Sequence, residues 1–151
     1  MSTNRKSARV ALAAFLTTAL TPDPVVEVYA YPVSLKELNG IYPIVRLTSL
    51  SSERTRKYLG NAPSAEFIIG LEIFVRQSDP DATFTEQNAE DKLDDIEQLI
   101  RDAFANAANT HAGGFDIMAY DRGSEVISIE MDDGIIYRRE VIPIRCKMLN
   151  G

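Results

Sequence analysis

The stretch AEFIIGLEIFVRQ, residues 65–77, decides which fold the chain can adopt. Its apolar residues alternate at the period of a β-strand. Five consecutive positions of one face are apolar, and they are Phe67, Ile69, Leu71, Ile73 and Val75. The pattern predicts a long strand lying on a hydrophobic core.

The opposite face of this strand is more apolar than the solvent side of a sheet usually is. It carries Glu66, Glu72 and Arg76, and also Ile68 and Phe74. Two apolar side chains on one outward face indicate a surface that is covered. We expect the cover to be either a loop of the same chain or another subunit.

A long acidic helix is predicted after this strand. Thr83 and Glu86 have the spacing of a capping box. Apolar residues then recur at helical spacing, and Gly113 and Gly114 are expected to end the helix. The repeating positions are Ala89, Leu93, Ile96, Ile100, Ala103, Phe104 and Ala107.

The first twenty residues, MSTNRKSARVALAAFLTTAL, predict another helix. Ser2 or Thr3 is expected to cap it, and Pro22 and Pro24 to stop it. We interpret it as amphipathic rather than as a signal peptide, because TPDP follows it and it is too short to span a bilayer. The predicted apolar face contains Val10, Ala13, Ala14 and Thr17, with Leu12, Phe15, Leu16 and Leu20 close by. The basic first turns, with Arg5, Lys6 and Arg9, oppose the helix dipole and are expected to form a solvated end.

Four further segments predict strands. They are PVVEVYAY (24–31), IYPIVRLTSL (41–50), SEVISIEM (124–131) and IIYRREVIPIRCKM (135–148). Pro43 restricts the second of these segments to a strand start or a sheet edge. Asp133 and Gly134 predict a tight turn that joins the last two segments into a hairpin. The final strand is expected to bury Ile142, Ile144, Cys146 and Met148 on one face.

The order of these elements favours an α+β fold formed by one domain, residues 1–151. We expect a mainly antiparallel sheet of about four strands, with two helices packed on one face. A chain of 151 residues with 45% hydrophobic and 25% charged residues is of ordinary globular composition. Its net charge of −6 argues against sequence-independent binding to duplex nucleic acid.

Residues that commonly carry catalysis are sparse or unfavourably placed. There is no glycine-rich phosphate loop. His111 is the only histidine and is expected to cap a helix end, while Cys146, the only cysteine, is expected to be a buried and inert thiol. The carboxylates Glu90, Asp94 and Glu97 share a helical face, beside Asp91, Asp95 and Asp102, and are interpreted as solvated. We therefore predict no catalytic residue, no cofactor and no metal site.

Charge is distributed unevenly along the chain. From Asp79 to Asp102 there are nine acidic and two basic residues. Basic residues cluster elsewhere, in segments expected to be loop tips, namely Arg54, Arg56 and Lys57, and Arg138 and Arg139. Such asymmetry favours head-to-tail contacts between copies in a ring, and ordinary surface charge is the alternative.

The order of elements resembles that of the tail terminator (tail completion) proteins of long-tailed bacteriophages. The first resemblance is the N-terminal helix followed by VVEVYAY…LNGIYPIVRL. The second is the long strand FIIGLEIFVR, which leads through an Asp/Pro loop to the acidic helix AEDKLDDIEQLIRDAF. The third is the closing hairpin SEVISIEMDDGIIYRREVIPIRCKM, so that the resemblance spans nearly the whole chain.

The resemblance implies a structural virion protein and no enzymatic activity. Such proteins form a ring, expected to be a hexamer, that caps the head-proximal end of the tail tube and ends tube polymerisation. The partners implied are further copies of the chain, the tail tube protein and the head connector or neck proteins. An acidic lumen would let DNA pass without specific binding. Assembly is expected in the host cytoplasm, with no membrane involved.

The same resemblance implies that the loop from Ser51 to Ser64, with Arg54, Arg56 and Lys57, contacts a neighbouring subunit or the tube. The other predicted contacts follow from the residues themselves: Ile68 and Phe74 from the apolar outward face of the long strand, and Arg138 and Arg139 from the clustered positive charge. Two alternatives remain open at this point. One is another neck or minor tail protein of the same fold, and the other is a cytosolic ligand-binding or enzymatic α+β domain that uses the helix carboxylates.

Overall fold

A computed structural model describes residues 5–21, 25–34, 43–55, 64–78, 86–105, 117–120, 125–130 and 136–148. These residues form two helices and six strands. In chain order they are α1 (Arg5–Leu20), β1 (Glu27–Tyr29), β2 (Ile44–Thr55), β3 (Ser64–Ser78), α2 (Glu86–Ala105), β4 (Ile117–Tyr120), β5 (Glu125–Glu130) and β6 (Ile136–Met148).

The six strands form one mixed sheet in the order β1-β2-β3-β6-β4, and β5 also pairs with β6. The pairing of β1 with β2 is parallel, and the other described pairings are antiparallel. The expected α+β class with a mainly antiparallel sheet is confirmed. The sheet has six strands where about four were expected: five lie on segments predicted as strands, and β4 was not predicted.

The long strand β3 lies at the centre of the sheet, between β2 and β6. Leu71 stands opposite Leu47 on one side and opposite Ile142 on the other. All five alternating residues of the predicted inner face of β3 are buried and belong to the main hydrophobic core. The prediction of which side of β3 faces the core is therefore confirmed. Because side chains alternate along the strand, the same register also determines which residues of β2 and β6 face the core.

Both helices contribute to this same core, so they pack on one face of the sheet, as expected. We call this side the helix face and the opposite side the outer face. From α2 the buried residues are Ala89, Leu93, Ile96, Ile100 and Phe104. The helices meet at Phe15 and Phe104, whose ring centroids are 5.2 Å apart. Among the described residues, no helix has the length and hydropathy of a membrane-crossing segment.

The buried side of α1 differs from the predicted one. The helix buries Ala8, Leu12, Ala13, Leu16 and Leu20, mostly four residues apart. By contrast, Val10 is 53% exposed, and Ala14 and Thr17 are also exposed. The prediction was wrong because α1 has small or apolar residues on most sides, so that packing of the three larger leucines decides its rotation.

The chain after β1 passes from the helix face to the outer face around the edge of the sheet. We call residues 30–34 the edge segment. Ala30 packs against the main core, whereas Val33 belongs to a second cluster with Ile44 and Phe74. Arg9 of α1 donates from Nη1 to the carbonyl oxygen of Ala30 over 2.7 Å. Of the three basic residues at the start of α1, Arg9 therefore makes a hydrogen bond to the edge segment, whereas Arg5 and Lys6 are exposed as expected.

Candidate functional site

The outer face of the sheet contains the described interface candidates Ile68, Phe74 and Arg139. In the register of the sheet, Ile44 lies opposite Phe74, Arg46 opposite Glu72, and Phe74 opposite Arg139 on the other side. Directly opposed residues of antiparallel strands point to the same face. The outer face therefore carries three of the seven predicted contact residues.

Phe74 is fully buried within the single chain. Its ring is covered in the second cluster by Val33 and Ile44, with Tyr29 packed beside them. The sequence predicted that Phe74 is covered either by a loop of the same chain or by another subunit, and in the structure a segment of the same chain covers it. A ring buried within one chain offers little surface to another subunit, so its burial does not support the assignment of Phe74 to a subunit interface, which remains a prediction.

Beside Phe74 lies a buried carboxylate bound by two arginines. Glu72 is 3% exposed, and its Oε2 atom accepts from Nε and Nη2 of Arg46 at 3.2 and 3.1 Å. Nε of Arg139 donates to the same oxygen at 3.0 Å. We call these three residues the Arg–Glu–Arg cluster. A carboxylate removed from water is stable only with such partners, so the cluster holds β2, β3 and β6 in register.

Arg46 has two further interactions that attach the edge segment. Its Nη1 atom donates to the carbonyl oxygen of Val33 over 2.6 Å. Its guanidinium carbon lies 4.7 Å from the centroid of the Phe74 ring, in cation–π geometry. Arg46 therefore connects the ion cluster, the small apolar cluster and the edge segment.

Arg138 and Arg139 lie inside strand β6 and not at a loop tip, so that expectation was wrong. Alternation along β6 sends their side chains to opposite faces of the sheet. Arg139 belongs to the Arg–Glu–Arg cluster and is 28% exposed. Arg138 lies on the helix face, where Nη2 pairs with Glu90 of α2 at 2.9 Å. The two arginines therefore do not form one basic patch, and each has a structural partner.

The centre of the outer face is apolar and only partly covered. Ile68 is half-buried, which leaves its assignment to an interface as a prediction. A bulge in β2 interrupts the register between Ser49 and Ser51, at Leu50. A Cβ atom at Gly70 would lie 3.2 Å from Cγ and Cδ1 of Leu50, so the Leu50 side chain crosses the outer face directly over this glycine. Leu50 is nevertheless 47% exposed.

The end of the outer face away from Phe74 carries a second ion pair. Nε of Arg145 is 3.2 Å from Oε1 of Glu66, and the arginine side chain is 45% exposed. Lys147 lies opposite Glu66 in the register and shares this face. Cations therefore frame the apolar centre at both ends.

The basic group expected between the long strands is only partly within the described residues. Arg54 lies in β2, opposite Ala65 of β3, and therefore belongs to a strand instead of a loop tip. Arg56 and Lys57 lie outside the described residues, as do His111, Thr83 and the turn at Asp133 and Gly134. Their predicted roles remain predictions.

The carboxylates of α2 are largely solvated, as expected. Asp91, Asp94, Asp95 and Asp102 are exposed. Glu90 pairs with Arg138, and Glu97 pairs with Arg101 one turn further along the helix. Within the described part of the chain, no group of three or more histidine, cysteine or acidic side chains is placed to hold a metal ion.

Cys146 is buried in the main core, in agreement with the prediction. Burial raises the pKa of its thiol from 9.0 to about 12, because the apolar surroundings disfavour the thiolate. At neutral pH the residue is therefore a protonated apolar side chain and a poor nucleophile.

The Arg–Glu–Arg cluster was missed by sequence reasoning. Glu72 was placed correctly on the outer face, but its partners are 26 and 67 residues away along the chain. The available signal was a charged residue within a long apolar strand, since a buried carboxylate needs an opposite charge or hydrogen-bond donors close to it. Searching the two adjacent strands for arginines would have found Arg46 and Arg139.

A scan of the sequence against protein-family models and a search of curated proteins found no match.

Proposed function

We propose that the chain is a structural virion protein, a tail terminator of a long-tailed bacteriophage. Its copies form a ring, expected to be a hexamer, at the head-proximal end of the tail tube. The ring ends tube polymerisation and joins the tail to the head connector at the neck. The observation that carries this proposal is the order of elements, α1-β1-β2-β3-α2 followed by the β5–β6 hairpin.

Each of the three sequence features that resemble this family falls on an element of the described fold. The first corresponds to α1, β1 and β2, with Pro43 immediately before β2. The second corresponds to β3 and α2, which pack together in the main core. The third corresponds to β5 and β6, where Glu130 lies opposite Ile136 as in a hairpin. These correspondences support the resemblance across most of the chain.

Surface charge also suits a ring through which DNA passes. The net charge of −6 disfavours adhesion of the phosphate backbone, and the described cations of the outer face alternate with carboxylates. Further copies of the chain, the tube protein and the connector proteins are the proposed partners. Assembly takes place in the host cytoplasm, and the mature protein resides in the virion.

The proposal is tested by the native mass of the purified protein and by its effect on tail tubes. Light scattering over a concentration series, with and without purified tubes, is expected to give a six-fold mass either alone or at tube ends. Electron microscopy is expected to show one ring per tube and no further growth when tube subunits are added. A monomer that neither binds tube ends nor stops their growth would overturn the proposal.

A further inference from the structure

We propose that the exposed side of α2 on one copy binds the outer face of the sheet on the next copy. The inference rests on the proposed function, because a closed ring requires a contact that repeats head to tail between two different surfaces of the same molecule. The argument uses the charges and the exposed leucines of the two surfaces.

The exposed side of α2 is an acidic surface with an apolar residue within it. Asp91, Asp95 and Asp102 follow one another at helical spacing and are exposed, with Asp94 beside them. Leu99 lies between Asp95 and Asp102 on this side and is 41% exposed. Two cations adjoin this side: Arg101 is paired with Glu97 of the same helix, and Lys92 is half-buried. We call these four aspartates and Leu99 the acidic surface.

The outer face has the complementary character. Its described side chains include four cations and three carboxylates, namely Arg46, Arg139, Arg145 and Lys147 with Glu27, Glu66 and Glu72. Each of the two groups of charges that flank its centre has one cation in excess, because Arg46 and Arg139 share Glu72, and Arg145 and Lys147 share Glu66. Leu50 lies between the two groups of charges, over Gly70, and is 47% exposed. Single exposed leucines are common on protein surfaces. Here, however, one lies within each of two oppositely charged surfaces.

The two surfaces cannot meet within one molecule, because α2 packs on the helix face and the outer face lies on the other side of the sheet. They can meet only between copies. Complementary charge then selects the orientation and speeds the encounter, while contact between Leu99 and Leu50 excludes water from the centre. A second copy fits the outer face better than DNA does, because its acidic surface also offers the exposed Leu99 to the exposed Leu50.

Charge reversal on each surface tests this contact. The helix variant is Asp91→Lys with Asp95→Lys, and the sheet variant is Arg145→Glu with Lys147→Glu. Each variant alone is expected to form no ring, either in solution or at tube ends. In solution its native mass is expected to be that of a single chain, about one sixth of the ring's mass. Circular dichroism and thermal melting confirm that each variant is folded.

Mixing the two variants provides the decisive measurement. The basic helix of one variant faces the acidic sheet of the other, and the two unaltered surfaces also match, so an equimolar mixture is expected to restore the ring. A control that reverses Arg5 and Lys6, two exposed cations of α1, is expected to leave the ring unchanged. Two folded variants that keep the ring separately, or that fail to form it when mixed, would overturn the inference.

A cross-linking experiment covers the case in which the sheet variant does not fold. Cys146 is buried, so new surface cysteines are the only thiols expected to react at neutral pH. With a short bismaleimide, the double variant Leu50→Cys/Leu99→Cys is expected to give a ladder of products up to six chains. Each single variant is expected to give none. Dimers from Leu99→Cys alone would mean that two helices face each other and would contradict the inference.

The outcomes separate this inference from the proposed function. If the wild-type chain forms rings on tubes but neither the charge variants nor the cysteine pair behaves as expected, the contact lies elsewhere and the function stands. If the wild-type chain forms no ring in solution or at tube ends, both proposals fail.

Discussion

Arg46 and Glu72 lie directly opposite each other on adjacent strands, and two nitrogens of the arginine share one carboxylate oxygen at 3.1 and 3.2 Å. Arg139 reaches the same oxygen from the third strand. The charge of a carboxylate that is only 3% exposed is thus balanced by cations from both neighbours. Beside Phe74, the sheet is therefore held by an ionic contact on its outer face and by apolar packing on its helix face.

Removing the charge of Glu72 is expected to destabilise the fold substantially. Glu72→Gln leaves two arginines without their carboxylate, and we expect a loss of about 2 kcal/mol, less than for a fully buried pair because both arginines are partly exposed. Urea unfolding measures the change. Glu66→Gln, which removes the more exposed pair with Arg145, is the matched control and is expected to cost under about 1 kcal/mol. Equal losses for the two variants would contradict the structural role given to Glu72.

Truncation of the inner face of β3 is expected to cost more. Ile69→Ala and Ile73→Ala each remove a fully buried side chain from the main core, and each is expected to lower the unfolding free energy by about 2–5 kcal/mol. Val10→Ala provides a control from the exposed side of α1, with an expected change within about 0.5 kcal/mol. A larger effect at Val10 than at Ile69 would mean that the orientation of α1 or β3 is wrong.

Gly70 is expected to resist substitution because two side chains already occupy the space above it. A Cβ atom there would approach Cγ2 of Thr48 to 3.0 Å and Leu50 to 3.2 Å. Gly70→Ala is therefore expected to destabilise the fold by about 1 kcal/mol, since crowding outweighs the better strand propensity of alanine. Thr48→Ser removes the nearer methyl group, and the double variant is expected to recover part of the loss in thermal melting. If the melting temperature of the double variant does not recover, the methyl group of Thr48 is not the source of the crowding.

The buried thiol of Cys146 predicts a specific dependence of stability on pH. Its pKa is raised from 9.0 to about 12 in the folded chain, so its contribution to stability is complete below pH 9 and is lost as the pH rises towards 12. Cys146→Ala lacks this dependence. The difference in unfolding free energy between wild type and variant is expected to fall by about 2 kcal/mol between pH 8 and pH 10.5. A difference that stays constant would mean that the thiol is accessible to water.

The predicted contact residues at and just beyond the end of β2 can be tested together. Replacing Arg54, Arg56 and Lys57 together by glutamine is expected to leave the melting temperature nearly unchanged, because the sequence predicts that these side chains are exposed, and exposed charges contribute little to stability. If these residues contact the tube or a neighbouring subunit, binding to tube ends is expected to fail. Normal capping of tubes by the triple variant would remove this assignment.

The strands could be predicted well because their pattern is unambiguous. Alternation in β3 and β6 assigned Ile69, Ile73 and Ile144 to the core, and the structure confirms each. The α1 helix has no comparable contrast between its sides. Val10 and Leu12 are equally apolar in a hydrophobicity pattern, and only the space available against the sheet distinguishes them. The side of α1 that faces the core is therefore determined by packing against the sheet, which cannot be read from the sequence of the helix alone.

The contact residues were harder to predict because exposure depends on what covers a surface. Phe74 has the strand position of an outward residue, but Val33 of the edge segment covers it. Arg138 and Arg139 are adjacent in the sequence, yet they bind partners on opposite faces of the sheet. Pairings between residues 48 and 67 positions apart follow from the sheet register and not from local periodicity.

The edge segment also has a consequence for the order of folding. Its carbonyl groups are held by arginines from two different elements, Arg9 from α1 at Ala30 and Arg46 from β2 at Val33. Neither anchor is in position until the helix has docked and the central strands have paired, so we expect the segment to be fastened late in folding. Its few buried contacts make it an early part of the chain to detach in native-state fluctuations. Amide protons around Val33 are accordingly expected to exchange with solvent long before those of β3.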